Sequence, residues 1–539
     1  MSLEAGKDAA CGTPLPVVIA FLVAVFLIAL APIVVAPILP TIDFYDHVSR
    51  YFVLAHIGES PFLQSNYQEK WSLLPNIGLD VIGTPVVGVI GALVGAKVVA
   101  VLVFATQYFG LLFFNFALTR RFNWIVAILA VPLLYSFILT WGFANFLLGL
   151  GLVFWGAGLW LLLRHRLLLA AGVGVVSALV VFVTHGVAFV LYGVLLGGIE
   201  LGFLLARANS LGRCCAAAVA LAVQAVAPAM IFLLSATAKA PQGLTNATSA
   251  VERLKEQGRL VGRLLEIAQY RLVTIFRVAE GPSPWFDLMS FVATGALLLW
   301  LAKRGRVAIS PCVWPALAIG ALLTLCVPPA LFGVGYVADR IPLFVAFLGV
   351  ASLSVTPGFA RPERLAVGVI CALVAVRLAL VAGDWASYRP DLAAYNRVGA
   401  ALPPGQIVAF VNVDLGVRED HSRRCEMYGP LLASTRGQAA ALFAIPSAQP
   451  LELKGRLALA LSELPGHSRF KGDEARAYYS ATLTAMAAQK RFDYVLVCNA
   501  LGLQAKLPPG LDVVAEDGRF TLAKVARSPS GPAPALRAK

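Results

Sequence analysis

The chain has 539 residues, of which 59% are hydrophobic and 13% charged, and its mean hydropathy is +0.80. Soluble proteins carry about 25% charged residues, so a water-soluble globular protein is excluded and a protein with many membrane spans is expected. The formal charge of +14 does not point to nucleic acid. Lys and Arg sit mostly in short turns between apolar runs, the pattern that orients helices in a membrane.

Residues 1–13 are polar and short, and they are read as a cytoplasmic N-terminus. The apolar run 14–36 is long for a signal-peptide core and lacks a clear small-residue cleavage site, so it reads as a retained first span. Ten further spans follow at roughly 95–118, 123–139, 143–163, 167–183, 187–206, 213–235, 287–302, 312–333, 340–358 and 364–382. Most approach the roughly 20 residues needed to cross a hydrocarbon core. The expected fold is an all-α polytopic membrane domain of about 11 transmembrane helices over 14–383, with external loops at 37–94 and 236–286. A small C-terminal α/β extracytoplasmic domain is expected over 384–526, and a disordered Pro- and Ala-rich tail over 527–539. Arg120/Arg121, Arg164/Arg166, Arg207/Arg213, Lys303/Arg304/Arg306 and Arg361/Arg364 all fall on one side in this count. The positive-inside rule makes that side cytoplasmic. The N-terminus is then cytoplasmic and the C-terminal domain outside.

In the 236–286 loop, Leu254, Leu260, Val261, Leu264, Leu265 and Ile267 recur with helical spacing, interleaved with Arg253, Lys255, Arg259 and Arg263. This predicts an amphipathic helix on the membrane surface, drawn to anionic lipid headgroups. The C-terminal part carries strand-like runs at 406–413 and 493–498, helical patterns near 450–463 and 473–490, and a hairpin turning on Asp517-Gly518. The eight cysteines show no CxxC or Cys/His metal spacing. Cys425 and Cys498 would be free to pair in an oxidising compartment.

The first external loop contains "PTIDFYDHVSRYFVLAHIG". Asp43, Asp46, His47 and Arg50 stand at i, i+3, i+4 and i+7, one face of a helix. Pro37 and Pro40 end the first span, and Phe44, Val48, Phe52 and Leu54 can hold the helix against the membrane. One carboxylate can take a proton from a hydroxyl nucleophile. The second can tune the first, share its proton or bind a divalent cation such as Mg or Mn. Arg50 can hold phosphate oxygens through paired hydrogen bonds, and His47 can orient a carboxylate or assist the phosphate. The plainer alternative is that these residues pair with one another and cap a surface helix.

Other candidates follow along the chain. Asn76, after Pro75, reads as a helix cap in preference to a direct catalytic role, and Asp80 as a second carboxylate of the site. His185 lies at the outer end of the fifth span, either bonded to a backbone carbonyl or contacting donor. Asp339 and Arg340, in "GYVADRIP", form an adjacent pair that is costly near a membrane cavity unless paired or used. Arg340 is thus either a second phosphate ligand or half of an ion pair fixing a helix end. Arg377 can snorkel outward from the eleventh span or contact the carrier lipid. The charge-dense stretch 417–429, with Asp420, His421, Arg423 and Arg424, is a solvated loop or a glycan contact.

One apolar first span, a carboxylate-bearing first external loop, many further spans and a C-terminal external domain resemble the GT-C superfamily of membrane glycosyltransferases. The Asp43/Asp46 pair is similar to that superfamily's DD, ED or ExD motifs but wider in spacing. The stretch "YQEKWSLLPNIGLDVIGTP" is also similar to a group of bacterial membrane proteins with a D-x-x-x-H-x-x-R segment followed by W-x-x-x-P-N. The resemblance implies that the membrane is a bacterial inner membrane, with a polyprenyl-phosphate-linked sugar as donor and a lipid, glycan or protein hydroxyl as acceptor. It implies Asp43 or Asp46 as base with His47 assisting, and Arg50, Asp80, His185, Asp339 and Arg340 around the substrate. It requires no cofactor beyond an optional divalent cation. Two other readings stay open. A non-catalytic membrane scaffold would leave the polar face of the first loop solvated. A lipid or solute transporter would show related halves and charges near the bilayer midplane.

Overall fold

Long apolar runs with few charges become long helices, because a helix satisfies every backbone polar group within its own segment. The computed structural model describes residues 14–235, 260–331, 335–415, 424–444, 449–464, 471–503 and 507–526. Among them, seven helices are long and apolar enough to cross a membrane: Ala92–Thr119, Ala144–Leu163, Leu167–Thr184, Gly186–Leu205, Leu211–Leu234, Pro284–Lys303 and one beginning at Arg361. Shorter apolar helices are Leu15–Ala29, Gly78–Ile90, Trp124–Leu134 and Pro311–Cys326. The expected span 123–139 is broken. Its helix stops at Leu134, shortly after Pro132, and a single turn follows at Phe137–Thr140. The expected span 340–358 is the helix Val337–Ala351, with the short strand Leu353–Val355 behind it.

The two helices Ala92–Thr119 and Ala144–Leu163 pack directly against each other, and glycine makes the approach possible. A Cβ on Gly110 would stand 2.6 Å from the Gly151 carbonyl oxygen, and one on Gly151 would stand 2.6 Å from the Gln107 nitrogen. Small residues at such crossings let membrane helices pack backbone to backbone.

The C-terminal part is built on a four-stranded sheet in the order Val408–Asn412, Tyr494–Cys498, Phe520–Val525, Leu511–Asp517. The first pair is parallel and the others antiparallel. Tyr494–Cys498, a continuous apolar run, is buried along its whole length, as a strand covered on both faces should be. The hairpin turns through Gly518, at φ +56°. A disulfide joins Cys425 to Cys498.

The first loop and the C-terminal part are joined. Tyr67–Glu69 pairs antiparallel with Leu451–Leu453, and the Tyr67 hydroxyl donates to the Ala440 carbonyl (2.6 Å) while accepting from the Ala440 N–H (2.9 Å). Helix Tyr428–Arg436 packs on helix Phe44–His56, with Ser49 and Ser434 hydroxyls 2.7 Å apart.

In the second large loop a helix runs over Leu260–Phe276. Arg253, Lys255, Arg259 and the Arg263 side chain lie outside the described residues, as do Asp420, His421, Arg423 and the tail 527–539. The end of this helix is pinned inward. Tyr270 donates to Asp339 (2.6 Å) and Arg271 to the Val327 carbonyl (2.5 Å). Arg377 does not snorkel. Its guanidinium donates to Asp287 and to the carbonyls of Pro132, Tyr135 and Ala279, all at 2.7–2.9 Å. Four acceptors at hand make this interior position better than a reach toward the interface.

Candidate functional site

The helix expected in the first loop runs over Phe44–His56, with Asp43 as its N-cap residue. Its start is fixed by a backbone clasp. Ile42 and Asp43 donate their N–H groups to the carbonyls of Thr140 and Trp141, at 2.9 and 3.0 Å. Gly142 allows this approach. Its φ is +83°, and a Cβ there would lie 2.4 Å from the Phe44 nitrogen. The Asp43 carboxylate, though at an N-cap, makes no capping hydrogen bond. It faces a cavity of about 630 Å³.

That cavity lies between the membrane helices and the C-terminal part. Its polar lining is Asp43, His47, Asn76, Asn145, His185, Tyr336, Arg340 and Gln449. Its apolar walls come from Phe182, Phe189, Val190, Pro228 and Phe232 on three consecutive membrane helices, and Phe443 closes it from the C-terminal side. A mostly apolar cavity with a few convergent polar groups is the usual form of a ligand site.

The polar stripe divides into two groups. Asp43 and His47 reach the cavity, whereas Asp46, Arg50 and Asp80 do not line it. Arg50 and Asp80 are 0% exposed and bound to each other, Nε to Oδ1 at 2.6 Å. A second Arg50 nitrogen lies 2.7 Å from His47 Nδ1, and a third donates to the Phe443 carbonyl at 3.1 Å. The guanidinium expected to hold phosphate therefore supports the helix from behind. Because an arginine can only donate, His47 Nδ1 must accept, so its ring is neutral and carries its hydrogen on Nε2. Burial and the Arg50 charge both hold the His47 pKa well below its ordinary value.

The carboxylates are shifted the other way. Burial, with the Glu426 charge adding to it and Arg340 opposing it, raises Asp43 to about 7. Asp46 is raised well above its ordinary value by burial and by Asp43, against the Arg50 charge and a hydrogen bond from the Phe443 backbone. Of the two, Asp43 is the one that can meet a ligand.

His185 ends one membrane helix and caps the next, its Nδ1 accepting from the Val187 N–H at 3.1 Å. The ring thus bonds a backbone N–H, not a carbonyl, and in its neutral form keeps Nε2–H as a donor. Among the described residues lining the cavity, Arg340 is the cationic side chain. It is 4% exposed, and its Nε and Nη1 are buried with no hydrogen-bond partner among the described residues. Its guanidinium lies over the rings of Phe143 (4.5 Å) and Phe146 (5.5 Å). The adjacent Asp339 does not pair with it. Asp339 is occupied by Tyr270 (2.6 Å) and Arg277 (2.9 Å), away from the cavity lining.

Glu426, Phe443 and Gln449 were not legible as site residues, because no local pattern shows which distant segment covers a helix. One signal was present: Glu426 follows Cys425, and that cysteine's bond to a central strand fixes its place. Among the described residues no group of three or more His, Cys, Asp or Glu side chains could hold a metal ion.

No family model and no curated protein matches the chain. Solved structures do. ArnT from Cupriavidus metallidurans bound to undecaprenyl phosphate is similar at 14% identity over 97% of this chain and 100% of that one, with a TM-score of 0.49. An oligosaccharyltransferase from Archaeoglobus fulgidus in its apo form is similar at 12% identity over 90% and 70%, with a TM-score of 0.45. The arabinofuranosyltransferase AftD from Mycobacteria is similar at 14% identity over 96% and 40%, with a TM-score of 0.43.

Proposed function

We propose that the chain is a membrane glycosyltransferase that moves a sugar from a polyprenyl phosphate to a hydroxyl on the outer side of the membrane. The observation that carries this reading is Arg340, a buried guanidinium at the cavity with unpartnered N–H groups. Buried N–H donors left without acceptors are expensive, more so on a charged group. A phosphate supplies the missing acceptors with matching geometry and opposite charge.

The rest of the lining supports the same reaction. Asp43, at about 7, is poised to accept a proton near neutral pH. The acceptor oxygen attacks the anomeric carbon while its proton passes to Asp43. The bond from the anomeric carbon to the phosphate oxygen breaks, and its electron pair leaves with the polyprenyl phosphate. Arg340 stabilises that developing charge, and the neutral His47 and His185 rings can add N–H donors. The apolar walls suit the first units of a polyprenyl chain. A divalent cation is not required by this scheme.

The Cys425–Cys498 bond supports an oxidising, extracytoplasmic position for the C-terminal part. A scaffold would leave the first-loop polar face solvated, but Arg50 and Asp80 are wholly buried and His47 is 7% exposed.

The test is a transfer assay with the full chain in liposomes, offering radiolabelled polyprenyl-phosphate sugars with membrane extract as acceptor. Asp43→Asn should bind donor without transferring label, Arg340→Ala should lose donor binding, and the exposed Asp473→Asn should match wild type. Absence of donor binding by wild type, or full transfer by Asp43→Asn, would sink the proposal.

A further inference from the structure

The Pro75-Asn76 turn holds a side chain that its own fold does not use. Asn76 has φ +88°, a left-handed conformation that strains an L residue and that glycine adopts freely. The turn is secured by backbone groups. The N–H groups of Asn76 and Ile77 both donate to the Val183 carbonyl, at 3.1 and 3.0 Å. The Asn76 carbonyl accepts from Asn145 Nδ2 at 3.1 Å, and Asn145 Oδ1 accepts from the Leu79 N–H at 2.8 Å. Gly78 seals the contact, since a Cβ there would lie 2.8 Å from the Thr184 Cα.

None of this involves the Asn76 amide. Contrary to its reading as a helix cap, the helix Gly78–Ile90 has Ile77 at its N-cap and no side-chain cap. The amide has no hydrogen-bond partner among the described residues, and Asn76 lines the cavity with His185. Asn tolerates this backbone region, yet its amide makes none of the local hydrogen bonds that would hold the turn, and it is left for whatever enters the cavity.

We infer that Asn76 is a specificity-determining contact for the sugar of the donor, which rests on the glycosyltransferase reading above. The amide is neutral, with two N–H donors and an acceptor oxygen, so it suits neighbouring sugar hydroxyls. The buried Arg340 is the better partner for phosphate. A site built to hydrogen-bond hydroxyls also rejects analogues lacking them far more strongly than an apolar pocket can.

The test compares affinities of the full chain in nanodiscs for bare polyprenyl phosphate and for its pentosyl, hexosyl and deoxyhexosyl phosphodiesters. In Asn76→Gly, affinity for the best glycosyl donor should fall about tenfold or more. Affinity for bare polyprenyl phosphate should stay unchanged, and the unfolding midpoint should equal or exceed wild type. Asn76→Ala removes the amide while keeping a Cβ in the left-handed backbone region. It should show the same selective loss, which keeps the test standing if the glycine variant fails to fold. Wild-type affinity for glycosyl donors in either variant overturns the assignment. So does an equal loss for bare and glycosylated ligands, which would mark a general distortion of the cavity. A wild type that binds neither ligand overturns the donor reading itself, and the assignment with it.

Discussion

Asp80 meets Arg50 through two contacts, 2.6 and 3.1 Å long, where neither side chain touches solvent. Helix Gly78–Ile90 is thereby locked to helix Phe44–His56. Removing one partner strands the other charge, which costs about 3–5 kcal/mol. Asp80→Asn should therefore lower the unfolding midpoint sharply, whereas Arg340→Ala should leave it near wild type and abolish donor binding. Denaturation and donor-binding measurements on both variants check this contrast.

A base must be deprotonated to work. With Asp43 at about 7, transfer should fall as pH drops through 7, by about tenfold per unit below it. Stability should move in the opposite sense. The Asp43 pKa is raised on folding, so the folded chain holds a proton that the unfolded chain has released. That contribution is present at low pH and is lost as pH rises from the ordinary carboxylate range through about 7. Asp43→Asn should flatten this part of the pH–stability curve, measurable as unfolding midpoints between pH 5 and 8.

Glu426 raises the Asp43 pKa by its charge. Glu426→Gln should shift the acid limb of the transfer profile to lower pH while leaving donor affinity intact. The neighbouring disulfide holds this segment on the sheet. Replacing both Cys425 and Cys498 by Ser should cost about 2–4 kcal/mol in stability and move the same limb in the same direction, as Glu426 loosens.

Gly142 sets where Asp43, the proposed base, stands. Gly142→Ala would add strain of about 1–2 kcal/mol from the left-handed backbone, and its Cβ would press on the Phe44 nitrogen. The expected result is a large fall in transfer rate with a smaller loss of donor affinity, read as separate effects on kcat and KM.

The amphipathic stripe Asp43–Asp46–His47–Arg50 was legible because helical spacing is local, and the helix stands where that spacing places it. The partners of the stripe were not. Asp80 lies 30 residues from Arg50, and only the packing of two helices shows that the carboxylate neutralises the guanidinium. Arg340 could be singled out, since an Asp-Arg pair near a membrane surface is costly. Its freedom depended on Asp339 being taken by Tyr270 and Arg277, which adjacency in sequence does not reveal. The apolar runs marked most helices, yet Trp124–Leu134 and Trp314–Cys326 are shorter than hydropathy suggests. Apolar stretches that turn or break inside the protein read the same as those that continue.

The pairing of Tyr67–Glu69 with Leu451–Leu453 also sets an order in time. A chain made from its N-terminus presents Phe44–His56 well before Phe443, which lies 393 residues beyond Arg50. Every later membrane helix must be inserted before that first strand finds its partner, and closing so long a loop slows the encounter. The cavity therefore acquires its cover only after the intervening membrane helices are in place, and a growing chain carries an open groove until the segment 451–453 arrives.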